Sequence, residues 1–291
     1  GATVFVHAEN GEILNFLRSE CVKKGQLTPH YHYVSRPPFT EAEAVRRAIY
    51  LAGQTDTPLY IAHMTCREAI AELQKAKGTG QRVSGETCTH YLTTTKEVLD
   101  NPDFNEAAKF VCSPALRDRE DCEALWQALS DGLLTAVSSD HCGVDVAELK
   151  QAGRNDFTQI PNGSPGVGDR LHMVWTEGVC TGKLTRQKFV DVIATQPAKI
   201  NGIYPRKGTL AVGSDADVVI FDPNYEGTVH LADNPNGVDY NLYEGRRQSG
   251  RVETVLLRGQ VVVENAKFVG RYGQGKFIPA NMYASGYENR N

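Results

Sequence analysis

Leu59-Tyr60-Ile61-Ala62-His63 is a short, unbroken apolar run that closes on an imidazole. Such a run reads as a strand buried on both faces. Thr65-Cys66-Arg67-Glu68 follows at once and fits a capping box, ahead of helix-spaced Ala69, Ile70 and Leu73. Toward the N-terminus the same unit recurs. Val4-Phe5-Val6-His7 is a second apolar run ending on histidine, followed by Ile13, Leu14, Leu17 and Cys21 at helical spacing and by Gly25 as the stop. Thr40-Glu41-Ala42-Glu43 fits another capping box, opening a helix whose apolar face carries Ala44, Val45, Ala48 and Ile49. Toward the C-terminus, strand-like runs lie at 82–88, 109–112 and 134–138, with a helix over about 120–129 before the last. Further helices are expected over 171–179 and 185–194. Strands alternating with helices predict an α/β fold built on a parallel sheet with helical crossovers.

From Cys142 to Asp169 the alternation stops, and glycine and proline are frequent. A long irregular stretch inside a compact domain is more often a functional cover than a connector. After Gly202 the text changes to short β-type runs at 216–221, 252–257 and 260–263, with Arg258-Gly259 as a tight turn. The boundary between the two regions is expected near residue 205. The tail from Tyr272 is expected to lack regular structure or to lie across a neighbouring subunit.

Composition narrows the function classes. The chain has 291 residues, 41% hydrophobic and 23% charged, which is a globular balance. The 31 basic against 35 acidic residues give a net charge of -4, with no electrostatic footprint for nucleic acid or anionic lipid. No apolar run reaches the roughly 18 residues of a membrane span. The seven cysteines show no paired spacing, so a reducing cytoplasm is the expected setting rather than a disulfide framework.

Three polar residues end three apolar strands: His7, His63 and Asp140. Parallel sheets bind ligands at the C-terminal ends of their strands, so these residues are expected at one rim. Two imidazoles and a carboxylate suit zinc or another first-row metal. The plainer reading makes each a satisfied buried polar group or a helix cap. His30 and His32 have HxH spacing in a Pro-flanked loop and are weaker candidates, as are His90 and His141. Cys66, Cys88 and Cys142 lie near strand ends, where a small buried hydrophobe is the default role.

The ordered stretches His7-Ala8-Glu9-Asn10-Gly11, Ser35-Arg36-Pro37-Pro38, Ala62-His63-Met64-Thr65, Gly85-Glu86-Thr87-Cys88, Cys112-Ser113-Pro114-Ala115-Leu116-Arg117, Ser138-Ser139-Asp140-His141-Cys142 and Ile160-Pro161-Asn162-Gly163 belong together, as does the 207–217 run from Lys207 to Asp217. Together they resemble the dihydropyrimidinase/hydantoinase branch of the amidohydrolase superfamily. The resemblance implies a metal-dependent (β/α)8 TIM barrel followed by a β-sandwich, with residues 1–205 as the C-terminal part of the barrel and 206–291 as part of the sandwich plus tail. It implies ring opening of cyclic amides (dihydropyrimidines or hydantoins) to N-carbamoyl amino acids by a metal-bridging hydroxide. His7 and His63 would ligate one ion and Asp140 the other, Asp140 also acting as general base and acid. Ser113 and Asn162 would grip the ring's imide-like edge. Two divalent ions are implied, zinc first, with manganese or cobalt as alternatives, in a cytoplasmic homotetramer.

The resemblance also implies elements not found in this sequence: an HxH pair on a first barrel strand, a bridging carboxylated lysine and an oxyanion-holding tyrosine. The expectation is therefore a C-terminal portion that needs a complementing N-terminal segment and has little activity alone. Allantoinase is the alternative within the class. A non-catalytic scaffold related to dihydropyrimidinase is the alternative outside it.

Overall fold

The computed structural model describes residues 2–233 and 236–281. Two compact units divide the chain, one formed by Val4–Arg170 with Val229–Arg246, the other by Leu171–Thr228 with the chain after Arg246. The contacts therefore do not divide at residue 205: the helices after residue 170 cluster with the antiparallel strands, and 229–246 return to the parallel sheet.

The first unit is built on four parallel strands in sequence order: β1 (Val4–Val6), β2 (Leu59–Ile61), β3 (Val83–Cys88) and β4 (Ala136–Ser138). Val4 pairs with Leu59 and Val6 with Ile61, so β1 and β2 end level. Parallel neighbours require crossovers. Between β1 and β2 run α1 (Gly11–Lys23), α2 (His30–Val34) and α3 (Pro38–Gln54). Between β2 and β3 runs α4 (Arg67–Gly78). Between β3 and β4 run α5 (Thr89–Thr93), α6 (Phe104–Ala108) and α7 (Arg119–Ser130).

The helices form where the apolar spacing placed them. In α4, Ala69, Ile70, Leu73 and Ala76 are buried on one face. Burying Ile70 and Leu73 contributes roughly 1.5–3 kcal/mol each. Asn10 caps α1 by accepting the Ile13 N–H at 3.2 Å, and Gly25, at φ 68°, turns the chain out of the helix.

Four sequence expectations are corrected. Neither capping box forms. Helix α3 starts at Pro38, whose fixed φ suits a first helical turn, so Thr40 and Glu41 lie inside the helix. Thr65 spends its hydroxyl on Glu41, and the Arg67 N–H at the start of α4 is instead taken by Asp121 from α7 at 3.0 Å. The loop expected around His30 and His32 is helix α2. Residues 109–112 form no strand, because side chains occupy their carbonyls. Ser164 Oγ donates to Lys109, Lys150 Nζ to Val111, and His32 Nε2 to Cys112.

The second unit carries helices α8 (Arg170–Val174), α9 (Arg186–Val190) and α10 (Gln196–Ile200), and an antiparallel sheet. Its strands are β5 (Val218–Thr228), β6 (Arg247–Leu257), β7 (Gln260–Glu264) and β8 (Lys267–Phe268), in that order. Arg258 and Gly259, at φ 49° and 78°, make the expected tight turn between β6 and β7. Trp175, Phe189 and Phe221 stack in its core, with Trp175 4.8 Å from Phe221 and 5.3 Å from Phe189 between ring centres. Of the expected tail, residues 272–281 form no helix or strand, and 282–291 lie outside the described residues. Among the described residues, no helix is long and apolar enough to cross a membrane.

The parallel sheet is open. β1 and β4 each have one neighbour among the described strands, and Val4 and Phe5 are about half exposed along β1. Val4, Val6, Ala44, Ala48 and Leu51 line an apolar groove between β1 and α3. An uncovered apolar edge of this kind pairs readily with another strand.

Candidate functional site

β1 and β2 end level, and each is followed directly by a histidine. The pairing therefore carries His7 and His63 to one rim: His7 Nδ1 lies 2.9 Å from His63 Nε2, with the rings edge to face. His63 and Asp140 both adopt left-handed backbone, at φ 36° and 44°. Neither is a glycine, and such conformations cost on the order of 1–3 kcal/mol, so the surrounding structure must hold them.

Glu9 fixes the His7 ring. Its carboxylate accepts from His7 Nε2 at 3.0 Å and from Arg36 Nη1 at 2.8 Å. Burial pushes the Glu9 carboxyl up, but the His7 hydrogen bond and the Arg36 charge outweigh it and hold the group at about 2. With Glu9 ionised, His7 Nε2 must carry a proton, and the Nδ1 edge of the ring faces His63. The carboxylate thus sets the ring orientation of His7.

His63 is buried, and its Nδ1 meets no hydrogen-bond partner beyond its own main chain among the described residues. Burial, then the His7 charge, push His63 below the usual histidine range, while Asp140 opposes the shift. His63 thus favours the neutral form that binds metals. Donors about 2.0–2.1 Å from a shared ion sit about 3 Å apart on neighbouring vertices. The His7–His63 separation of 2.9 Å fits that edge. Among the described residues no group of three or more His, Cys, Asp or Glu side chains forms a metal cluster. The pair supplies two donors. Asp140 acts on His63 through its charge without joining the group.

Ser113 and Asn162 meet each other instead, Ser113 Oγ donating to Asn162 Oδ1 at 2.9 Å. Asp140 connects the two clusters electrostatically, since its charge is felt by His63 and by Cys112, the neighbour of Ser113. Glu86, on β3, is half-buried and accepts from Tyr60 at 2.8 Å. Burial and the Asp140 charge raise its carboxyl, against the hydrogen bonds from Tyr60 and Ser138.

The weaker candidates separate. His30 pairs with Asp100 at 2.6 Å, and His32 points inward to the Cys112 carbonyl at 2.7 Å, so the HxH spacing makes no common site. His90 is buried against Tyr91, and burial, with the His63 charge, lowers it to about 3. Cys66 and Cys88 are buried thiols that burial pushes up, and Cys142 is exposed.

His32 has a consequence for acid stability. Burial, then the Arg36 charge, lower it from 6.5 to about 3, so the fold holds it neutral. An unfolded chain takes up the proton near pH 6.5 while the folded chain does not. Its contribution is therefore full above pH 6.5 and is lost as pH falls toward 3, by up to roughly 5 kcal/mol. His32→Gln, which keeps a donor for the Cys112 carbonyl, is expected to flatten the fall in melting temperature between pH 6.5 and 4. Parallel pH curves for variant and wild type would contradict this.

The signals that sequence reading missed are Glu9, Arg36 and Lys150. Glu9, two residues past the first strand-end histidine, was the one with a local cue.

The model of the amidohydrolase family matches residues 6–262. The chain belongs to the amidohydrolase family. Within that family it is 48% identical to the D-hydantoinase of Ralstonia pickettii over 283 residues, covering 97% of this chain and 62% of that protein. A solved D-hydantoinase structure superposes with a TM-score of 0.95 at 48% identity, covering 97% of this chain and 62% of the other. The dihydropyrimidinase structure from Brevibacillus agri NCHU1002 gives 0.91 at 45% identity, covering 93% and 58%. The chain spans about three fifths of the length of the curated relatives it matches.

Proposed function

We propose that the protein acts in the hydrolytic ring opening of cyclic amides, dihydropyrimidines or hydantoins, to N-carbamoyl amino acids. The observation that carries this reading is the His7–His63 pair, two imidazoles 2.9 Å apart with the outer nitrogen of His7 held by Glu9. The relatives named for hydantoinase and dihydropyrimidinase activity support the substrate class.

His7 and His63 would hold one divalent ion and Asp140 would join a second, zinc being the first choice and manganese or cobalt the alternatives. When bound, the metal supplies acidity to water and polarises the scissile carbonyl. Asp140 accepts a proton from the attacking water as its oxygen bonds to the ring carbonyl carbon. As the ring C–N bond breaks, Asp140 returns that proton to the departing nitrogen. Proton transfer of this kind contributes about 10²–10⁴-fold. Ser113 and Asn162 present polar groups to the ring's planar amide edge, where fixed dipoles match developing charge without reorganising.

Four parallel strands with helical crossovers suit part of a (β/α)8 barrel, and in this reading residues 1–205 belong to it and 206–291 to a β-sandwich region and tail. The free edge of β1 would then take a further parallel strand from a complementing segment. The assembly would be a homotetramer acting in the cytoplasm.

Ring-opening assays of the full-length protein on dihydrouracil, hydantoin and allantoin test the reading. Turnover of the first two is expected. Turnover of allantoin alone would move the assignment to allantoinase, and a well-folded protein that binds no metal would favour a non-catalytic scaffold.

A further inference from the structure

Lys150 opens a 3₁₀ turn in the irregular stretch after β4 and is completely buried. Its Nζ donates to the carbonyl of Gly163 at 2.8 Å and to that of Val111 at 3.3 Å. Burial lowers its ammonium to about 8, the charges of Cys112 and Cys142 opposing the shift. A buried cation held by two carbonyls is expensive, and a methionine of similar length would fill the same space at less cost. The Gly163 N–H already meets the Val111 carbonyl at 3.0 Å, and what the ammonium adds that a methionine cannot is a second, charged tie binding the carbonyls of both segments at once.

Those segments carry the two residues assigned to substrate. Val111 lies two positions before Ser113, and Gly163 directly follows Asn162. The 111–114 stretch has no strand partner. Its carbonyls are held one by one: Val111 by the Gly163 N–H at 3.0 Å and by Lys150, Cys112 by the His32 side chain at 2.7 Å, and Pro114 by the Tyr91 hydroxyl at 2.7 Å. Of the three side-chain donors only Lys150 also grips the second segment. The turn itself is seated firmly, since a Cβ on Gly153 would lie 2.1 Å from Ile160 Cγ1 and 2.5 Å from its main-chain nitrogen. Val111, Phe157 and Ile160 pack in one buried cluster beneath.

We propose that Lys150 is a positioning residue that staples the Val111 and Gly163 carbonyls together, and so sets the spacing of Ser113 and Asn162 against the ring of the substrate. This rests on the assignment of Ser113 and Asn162 to substrate binding. Lys150 touches no reacting atom.

Lys150→Met keeps the buried stem and removes all three donors. In the full-length protein it is expected to raise KM for dihydrouracil or hydantoin about tenfold or more, with kcat falling less and metal content unchanged. Amides of residues 111–115 and 160–166 are expected to exchange with deuterium about tenfold faster, those of β2 and β3 unchanged. Lys150→Ala is expected to show the same KM defect, restored by added propylammonium and not by propanol, which fills the space without the charge. A KM within twofold of wild type in Lys150→Met, or equal rescue by propanol, overturns the proposal. If Lys150→Met does not fold, Lys150→Ala with propylammonium decides, and failure of both to fold assigns the lysine to folding alone and overturns it too. The exchange readout is independent of turnover. A wild-type protein that opens no cyclic amide defeats the functional reading, while slow wild-type exchange lost in Lys150→Met still supports the staple.

Discussion

Asp140→Asn is expected to lower kcat for ring opening by about 10²–10⁴-fold, the range lost when a positioned proton carrier is removed. The substitution is a clean one. Asp140 is exposed, and asparagine is among the few residues that accept a left-handed backbone such as its φ of 44°. Folding stability is therefore expected to stay within about 0.5 kcal/mol of wild type, as for other surface changes. The amide can still accept a hydrogen bond but cannot take up the proton of the attacking water and hand it to the ring nitrogen. Steady-state kinetics beside a thermal melt checks both halves. A kcat within about fivefold of wild type would remove Asp140 from the proton path.

The second large effect is on stability. Glu41 and Arg117 form a buried ion pair at 3.0 Å, with side chains 2% and 4% exposed. The carboxylate also accepts the Thr65 N–H at 2.7 Å and the Thr65 hydroxyl, while Arg117 Nε donates to Thr65 Oγ at 2.9 Å and Nη1 to the Arg36 carbonyl. Arg36 in turn grips Glu9, which holds His7, and Thr65 lies two residues after His63. Glu41, Thr65 and Arg117 thus close a polar ring that reaches His7 through Arg36 and Glu9 and stands two residues along the chain from His63. Removing one member of a buried pair leaves the other charge uncompensated and costs about 3–5 kcal/mol. Glu41→Ala is expected to lose that amount in equilibrium urea unfolding. A double replacement, Glu41→Leu with Arg117→Met, is expected to lose much less than the sum of the two single changes, because no lone charge remains. Losses below about 1 kcal/mol in Glu41→Ala would show that the ring carries little of the fold.

The ring also explains where sequence reading succeeded and where it failed. The apolar run ending on His63 is a strong local signal, because a strand buried on both faces leaves little freedom in length or direction, and the run ending on His7 forms the neighbouring strand although Val4 and Phe5 stay exposed rather than buried. The parallel order and the meeting of the two histidines follow from them. The first capping box failed because Pro38 opens α3 ahead of Thr40, and the second for a non-local reason: the Thr65 hydroxyl is spent on Glu41, and no spacing rule within α4 registers a partner so distant in the chain. The missing strand at 109–112 failed in the same way, its carbonyls being taken by His32, Lys150 and Ser164 from other segments. Lys150 itself carries no local cue. A lysine in a glycine-rich stretch reads as solvated, and only the fold shows it buried between two backbone segments.

The central claim is that His7 and His63 share one divalent ion. Titration of the full-length protein with cobalt(II), followed by its visible ligand-field absorption, measures this without requiring turnover. The expected result is a cobalt site in the wild type that weakens at least tenfold in His7→Ala and again in His63→Ala, with both variants folded. Cobalt binding of wild-type strength and unchanged spectrum in both variants would contradict it.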